Sequence, residues 1–136
     1  MARQWLLIGL IASVLLAPSC AEETTRPDDA LGTARAFIRY SLDGDYKKAR
    51  QLLYADSVNL LELDLIEKRY KTDMKEAEKE GYRKASIIIH SVENVNDSVV
   101  IINYSNSFKN KQMPIKVIRK NGQWQVDLDY TFSGNL

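Results

Sequence analysis

The chain of 136 residues has little of what many catalytic and metal-binding sites are built from: one cysteine, one histidine, three prolines and six glycines. One His and one Cys are too few soft ligands for a zinc site. The glycines stand far apart, so neither a phosphate-cradling loop nor a nucleophile elbow is spelled out. An excess of one charge is missing as well: 19 Lys and Arg face 18 Asp and Glu. Loss of Arg3 with the leader would balance them. A nucleic-acid binder needs a cationic excess to neutralise phosphates, so nucleic acid is not an expected partner. No cofactor and no metal are expected either. The longest apolar run, Trp5 to Ala17, is short of the roughly 20 residues that a transmembrane helix needs.

That run follows Arg3 and ends in Leu16-Ala17-Pro18-Ser19-Cys20. A cation, a short apolar core and small residues make a secretory signal peptide. Its last five residues resemble the lipobox of bacterial lipoproteins, in which the cysteine becomes the lipid-bearing N-terminus. Ala17 departs from the pattern where Leu is typical, and Pro18 follows it. An exported chain gains no disulfide from a lone cysteine. Residues 1–19 are therefore expected to be a lipoprotein signal peptide, Cys20 the lipid-attachment residue, and residues 20–27 a lipidated tether that lacks apolar periodicity and contains Pro27. The resemblance implies a membrane partner reached through the N-terminal lipid. With Ala21 and not Asp after the cysteine, it implies the outer membrane of a Gram-negative cell envelope, and Glu22-Glu23 resembles surface-export signals.

Residues 28–136 are the length of one domain. Asp28 or Asp29 caps an expected helix to about Leu42, with Leu31, Ala34, Ile38 and Ser41 or Leu42 on one stripe and Phe37 beside it; Gly44 stops it. Asp45 caps a second helix, Tyr46 to about Tyr54, that offers Ala49, Leu52 and Leu53. A third is expected from Asp56-Ser57 toward Glu80, with Leu60, Leu63, Glu67, Tyr70, Met74 and Ala77 near one seam and Gly81 as its stop. From Ala85 the residues turn β-branched and aromatic, predicting an antiparallel meander of strands 85–94, 98–107, 111–120 and 123–132.

Asn121-Gly122 is the strongest turn signal, because a two-residue hairpin loop needs positive φ at both positions. It sets Arg119 opposite Trp124, Val117 opposite Val126, Ile115 opposite Leu128 and Met113 opposite Tyr130 on one face. The other face pairs Lys116 with Asp127, which assigns that carboxylate to a cross-strand ion pair, and Arg119 meets the Trp124 ring. The Asn94-Val95-Asn96-Asp97 turn permits two-residue or four-residue loops, so the face of His90 stays open. Ile87 to Ile89 and Val99 to Ile102 are continuously apolar and are expected to be covered on both sides, by helices or by a partner.

Three helices before a meander, the Leu42-Asp43-Gly44-Asp45-Tyr46-Lys47-Lys48-Ala49 break and the Gly122-x-Trp124-x-Val126 hairpin are together similar to nuclear transport factor 2-like, or cystatin-like, α+β domains. They resemble in particular an uncharacterised family of bacterial lipoproteins, some labelled lumazine-binding; no residue here carries that label over. The resemblance implies three helices packed on a curved antiparallel sheet around a conical pocket. Its lining is expected from Phe37, Tyr40, Tyr70, Trp124, Val126 and Leu128. The expected role is a lipid-anchored envelope protein that binds a small apolar ligand or an envelope protein, or lends structural support, without catalysis. The alternative is a pocket enzyme of the isomerase or dehydratase type, since relatives with this fold place acids, a histidine or tyrosines in the pocket. His90, Asp129 and Tyr40, Tyr54, Tyr70, Tyr104 and Tyr130 are what this chain offers for that. A lone strand histidine is more often a surface or satisfied residue than a catalyst, and no catalytic residue is assigned. A third reading is docking through exposed strand edges.

Overall fold

The structure, a computed structural model, describes residues 25–133. The signal peptide, Cys20 and most of the expected tether lie outside the described residues. Four helices, α1 (Ala30–Asp43), α2 (Tyr46–Gln51), α3 (Ser57–Thr72) and α4 (Glu76–Lys84), precede an antiparallel sheet of β1 (Ile87–Asn96), β2 (Val99–Asn106), β3 (Met113–Lys120) and β4 (Gln123–Asp127). A short helix, α5 (Leu128–Phe132), follows. The chain is thus a mixed α+β domain with helices packed against a four-stranded antiparallel sheet.

Three aspartates start three helices by accepting a backbone N–H with a side-chain oxygen: Asp29 from Gly32, Asp45 from Lys48 and Asp56 from Asn59. Such caps satisfy amides that the first helical turn leaves without partners. Gly44 ends α1 at φ 78°, and the Tyr70 ring lies over it. The core between helices and sheet contains Ala34, Phe37 and Ile38 of α1, Leu63 and Tyr70 of α3, and Val100, Ile102, Ile115, Val117 and Val126 of the sheet.

The β3–β4 hairpin has the expected register from Lys120 opposite Gln123 to Lys116 opposite Asp127. Asn121 and Gly122 both have positive φ, 52° and 74°. The Lys116–Asp127 ion pair spans 3.2 Å, and the Arg119 guanidinium lies 5.9 Å from the Trp124 ring centre. The expected pairs Ile115–Leu128 and Met113–Tyr130 do not form, because β4 ends at Asp127 and the chain turns into α5. The cause is Asn59, a fully buried side chain of α3 whose Oδ1 accepts from the amides of Leu128 (2.6 Å) and Asp129 (3.1 Å). It takes the part of the N-cap side chain that Asp127 does not play. Thr131 Oγ1 then donates to the carbonyl of Pro114 at 2.9 Å and holds α5 on β3.

Three expected helices before the sheet are in fact four. The long third one breaks at Asp73-Met74-Lys75, where the amides of Asp73 and Met74 both turn back to the Arg69 carbonyl. Gly81 is not a stop. It lies inside α4, where a Cβ would collide with the Phe108 ring, and Phe108 packs edge-to-face on Tyr82 at 5.1 Å. Arg39 fastens α4 to α1: its guanidinium donates to the carbonyls of Ala85, Tyr82 and Arg83 at the end of α4. Arg26, inside the expected tether, donates to the carbonyls of Gln51 (3.0 Å) and Trp124 (2.8 Å).

The two sheet edges differ. On the β4 side, Leu52 to Tyr54 run alongside: Val126 N–H donates to the Leu52 carbonyl and Tyr54 N–H to the Val126 carbonyl. β1 forms the other edge, and two register shifts, at Ile89/Ser91 and Asn94/Asn96, interrupt its pairing with β2; such bulges bend a strand. Ile88, on the face away from α1, is 39 % exposed, so among the described residues the two-sided cover expected for β1 is met on the α1 side only.

The two positive-φ glycines separate backbone strain from packing. A non-glycine residue in this region costs about 1–2 kcal/mol. Around Gly122 the described residues place no atom for a Cβ to meet within 4 Å, whereas at Gly44 it would fall 2.5 Å from the Tyr70 ring. Gly122→Ala is expected to lose about 1 kcal/mol and Gly44→Ala at least about 2 kcal/mol more, read by urea unfolding. Equal losses would contradict the packing of Tyr70 on Gly44.

Candidate functional site

A cleft of about 610 Å³ opens between the C-terminal half of α1, the end of α3, α4, the β2–β3 end of the sheet and α5. The amphipathic period of α1 turns Phe37, Ile38 and Leu42 toward it. The pleat of β3 sends Met113 and Ile115 to the same side, and the turn into α5 brings Leu128, Thr131 and Phe132 around as a wall. Tyr46, Tyr70, Tyr82 and Tyr104 add rings with polar tips.

Burial pushes the Tyr104 phenol up to about 12. Burial, with Tyr70, Glu67 and Tyr82 nearby, also raises Tyr46 well above the ordinary tyrosine range. Both are neutral hydroxyls at physiological pH. The Tyr70 ring meets Tyr46 edge-on at 5.6 Å, and its hydroxyl is buried without a hydrogen-bond partner among the described residues. At the rim stand Arg69, Lys109 and Lys111; among the described residues no Asp or Glu lines the cleft.

Of the six residues expected in a pocket, the structure gathers Phe37, Tyr70 and Leu128 in this cleft. The other three are elsewhere. Val126 is fully buried in the core under β4. Tyr40 is half-buried with the Lys48 ammonium 5.7 Å from its ring centre. Trp124 lines a second cavity of about 480 Å³ at the opposite end of α1, with Asp28, Asp29, Leu31, Val92 and Asp97. The hairpin register assigned Trp124 and Val126 to one sheet face correctly, but a face extends over both ends of the sheet and the two cavities divide it.

His90 is the extra residue at the first bulge of β1, exposed, with Nε2 2.8 Å from Ser105 Oγ. It does not line the cleft, and neither does Asp129, Tyr40, Tyr54 or Tyr130. The Tyr54 hydroxyl accepts from Lys120 Nζ at 2.9 Å, and Lys116 Nζ lies 5.7 Å from the Tyr130 ring centre. Among the described residues no group of three or more His, Cys, Asp or Glu could hold a metal ion, and no helix is long and apolar enough to cross a membrane. Sequence reasoning missed Ile66, Met74, Tyr82, Asn106 and Thr131 as cleft residues. The tyrosine and methionine at 82 and 74 carried a signal in their bulk among charged neighbours, but the helix break that turns them inward had none.

No family model, no curated protein and no solved structure matches this chain.

Beside the Asn59 cap, Glu62 has one carboxylate oxygen buried without a partner among the described residues. Burial, with Asp129, Asp127 and Asp56 nearby, raises its pKa above the ordinary glutamate value. A carboxyl raised in the folded state stabilises the fold below its unfolded pKa and loses that contribution as pH rises through the folded value. Glu62→Gln is therefore expected to raise the thermal midpoint at pH 7, with the gap closing below about pH 4. A gap that is constant from pH 4 to 7 would contradict the burial of an ionised Glu62.

Proposed function

We propose that this chain is a lipid-anchored protein of a Gram-negative cell envelope, attached to the outer membrane through Cys20, whose nuclear transport factor 2-like, or cystatin-like, domain binds a small apolar ligand in the cleft without turning it over. The observation that carries the reading is the cleft itself. Its volume of about 610 Å³ is that of small-molecule sites, and its floor of Phe37, Ile38, Ile115 and Leu128 is apolar with tyrosine hydroxyls beside it. The domain name is supported by helices preceding an antiparallel meander and by the two bulges that bend β1. A non-catalytic role is supported by what stands in the cleft: tyrosine phenols and cations, with no carboxylate among the described residues to act as a general base.

An anchor at Cys20 is compatible with an open cleft. Arg26 ties the incoming chain to the carbonyl of Trp124, near the β3–β4 turn. The cleft opens at the other end of the sheet, by the β2–β3 connection that carries Lys109 and Lys111. Cys20 lies six positions before Arg26, a reach of about 20 Å. An anchored domain therefore holds its cleft on the side away from the bilayer, open to ligand.

Two measurements test the two halves. In cells, a fatty-acid analogue is expected to label the wild-type chain and not Cys20→Ser; equal labelling would remove the anchor. The purified full chain carrying Cys20→Ser is expected to bind decanol at one site. Ser41→Trp, which fills the cleft from α1, should weaken that binding at least about tenfold. Undiminished binding in Ser41→Trp, or turnover in enolisation or dehydration assays, would overturn the reading.

A further inference from the structure

We infer that the ligand of the cleft is a single-chain amphiphile with an anionic head, its tail on the apolar floor and its head between Arg69 and Lys111. The inference rests on the binding reading above and deepens it. Most cations near the cleft are engaged. Arg50 bridges Asp64 and Glu67, Arg83 bridges Glu76 and Glu80, and Lys109 pairs with Glu78 at 3.3 Å. Arg69 and Lys111 form no side-chain hydrogen bond or ion pair with the described residues, and both are exposed at the rim.

The arrangement is polarised. Toward the floor are Phe37, Ile115 and Leu128, all buried; at the mouth are Arg69 and Lys111, with Lys109 beside them paired to Glu78 outside the lining. A neutral apolar ligand would leave the two free cations unused. A cationic one would meet like charge on both of them. An anionic head meets them at the solvent edge, where it keeps part of its hydration and pays little of the penalty for burying a charge. The guanidinium of Arg69 suits a carboxylate geometrically, since its N–H groups form a planar fork, while Lys111 acts as a point charge. The second cavity has the opposite character, with Asp28, Asp29 and Asp97 in its lining, so anions are directed to one end of α1 and not to the other.

Titration of the full Cys20→Ser chain with decanoate and with decanol at pH 7.5 compares head groups on one tail. Decanoate is expected to bind about tenfold more tightly than decanol, from two rim ion pairs, and raising the salt to about 1 M should remove most of that preference. Arg69→Gln with Lys111→Gln should abolish the preference while leaving decanol affinity within about twofold; both side chains are exposed, and far-UV circular dichroism confirms that the variant is folded. Lys68→Gln with Lys75→Gln, outside the lining, should change neither ligand. Equal affinity of decanoate and decanol would overturn the anionic-head inference and leave the apolar-binding reading standing, as would a preference that survives the double substitution. Failure of both ligands to bind would overturn both.

Discussion

One buried amide side chain decides the shape of the candidate site. Asn59 accepts two backbone N–H bonds, from Leu128 and Asp129, and its Nδ2 lies 3.4 Å from Asp127 Oδ1. A buried polar side chain costs free energy unless it is bonded, and Asn59 is fully buried and bonded at both ends. The same bonds supply the partners that the first amides of a helix otherwise lack. They convert what the residue pattern spells as a continuing strand into α5. As a strand, Leu128 and Tyr130 would have extended the sheet; as a helix, Leu128, Thr131 and Phe132 fold back and wall the cleft.

α1 organises the rest by lying across the sheet with different chemistry at its two ends. Its N-terminal end, with the Asp29 cap, faces an acidic cavity beside Trp124; its C-terminal half faces the apolar cleft. Each end is fixed by a contact that a small change would lose. Gly44 leaves room for the Tyr70 ring, and Arg39 uses three carbonyls of the α4 terminus to bring that helix alongside. Arg26 does the equivalent at the other end, tying the entering chain to α2 and β4. The cleft thus has rigid walls on α1 and β3, and shorter elements, α4 and α5, closing its sides.

Features written in a few neighbouring residues were legible. The caps at Asp28 or Asp29 and at Asp45, the helix start at Asp56-Ser57, the Asn121-Gly122 turn, the Lys116–Asp127 pair and the Arg119–Trp124 contact all depend on local conformation or on a register one turn sets. What was not legible depends on distant partners. Asn59 acts on residues far along the chain, and in a helix pattern it reads as an ordinary polar position. Gly81 looks like a helix stop because glycine usually ends a helix; here Phe108 from the β2–β3 connection needs the space of its missing side chain. Charges thick on both sides of Asp73 hid the break between α3 and α4. The pocket residues divided for the same reason: alternation along a strand tells the face, and only the packed helices tell which end of that face is hollow.

The dependence of the site on Asn59 is open to one direct measurement, amide hydrogen exchange of the full chain in native buffer. The Leu128 amide is expected to exchange as slowly as the core amides of Ile102 and Val117, because its bond to Asn59 Oδ1 is buried and opens only with the domain. Exchange of Leu128 at the rate of the amide of exposed Lys111 would contradict it, and with it the wall that α5 gives the cleft.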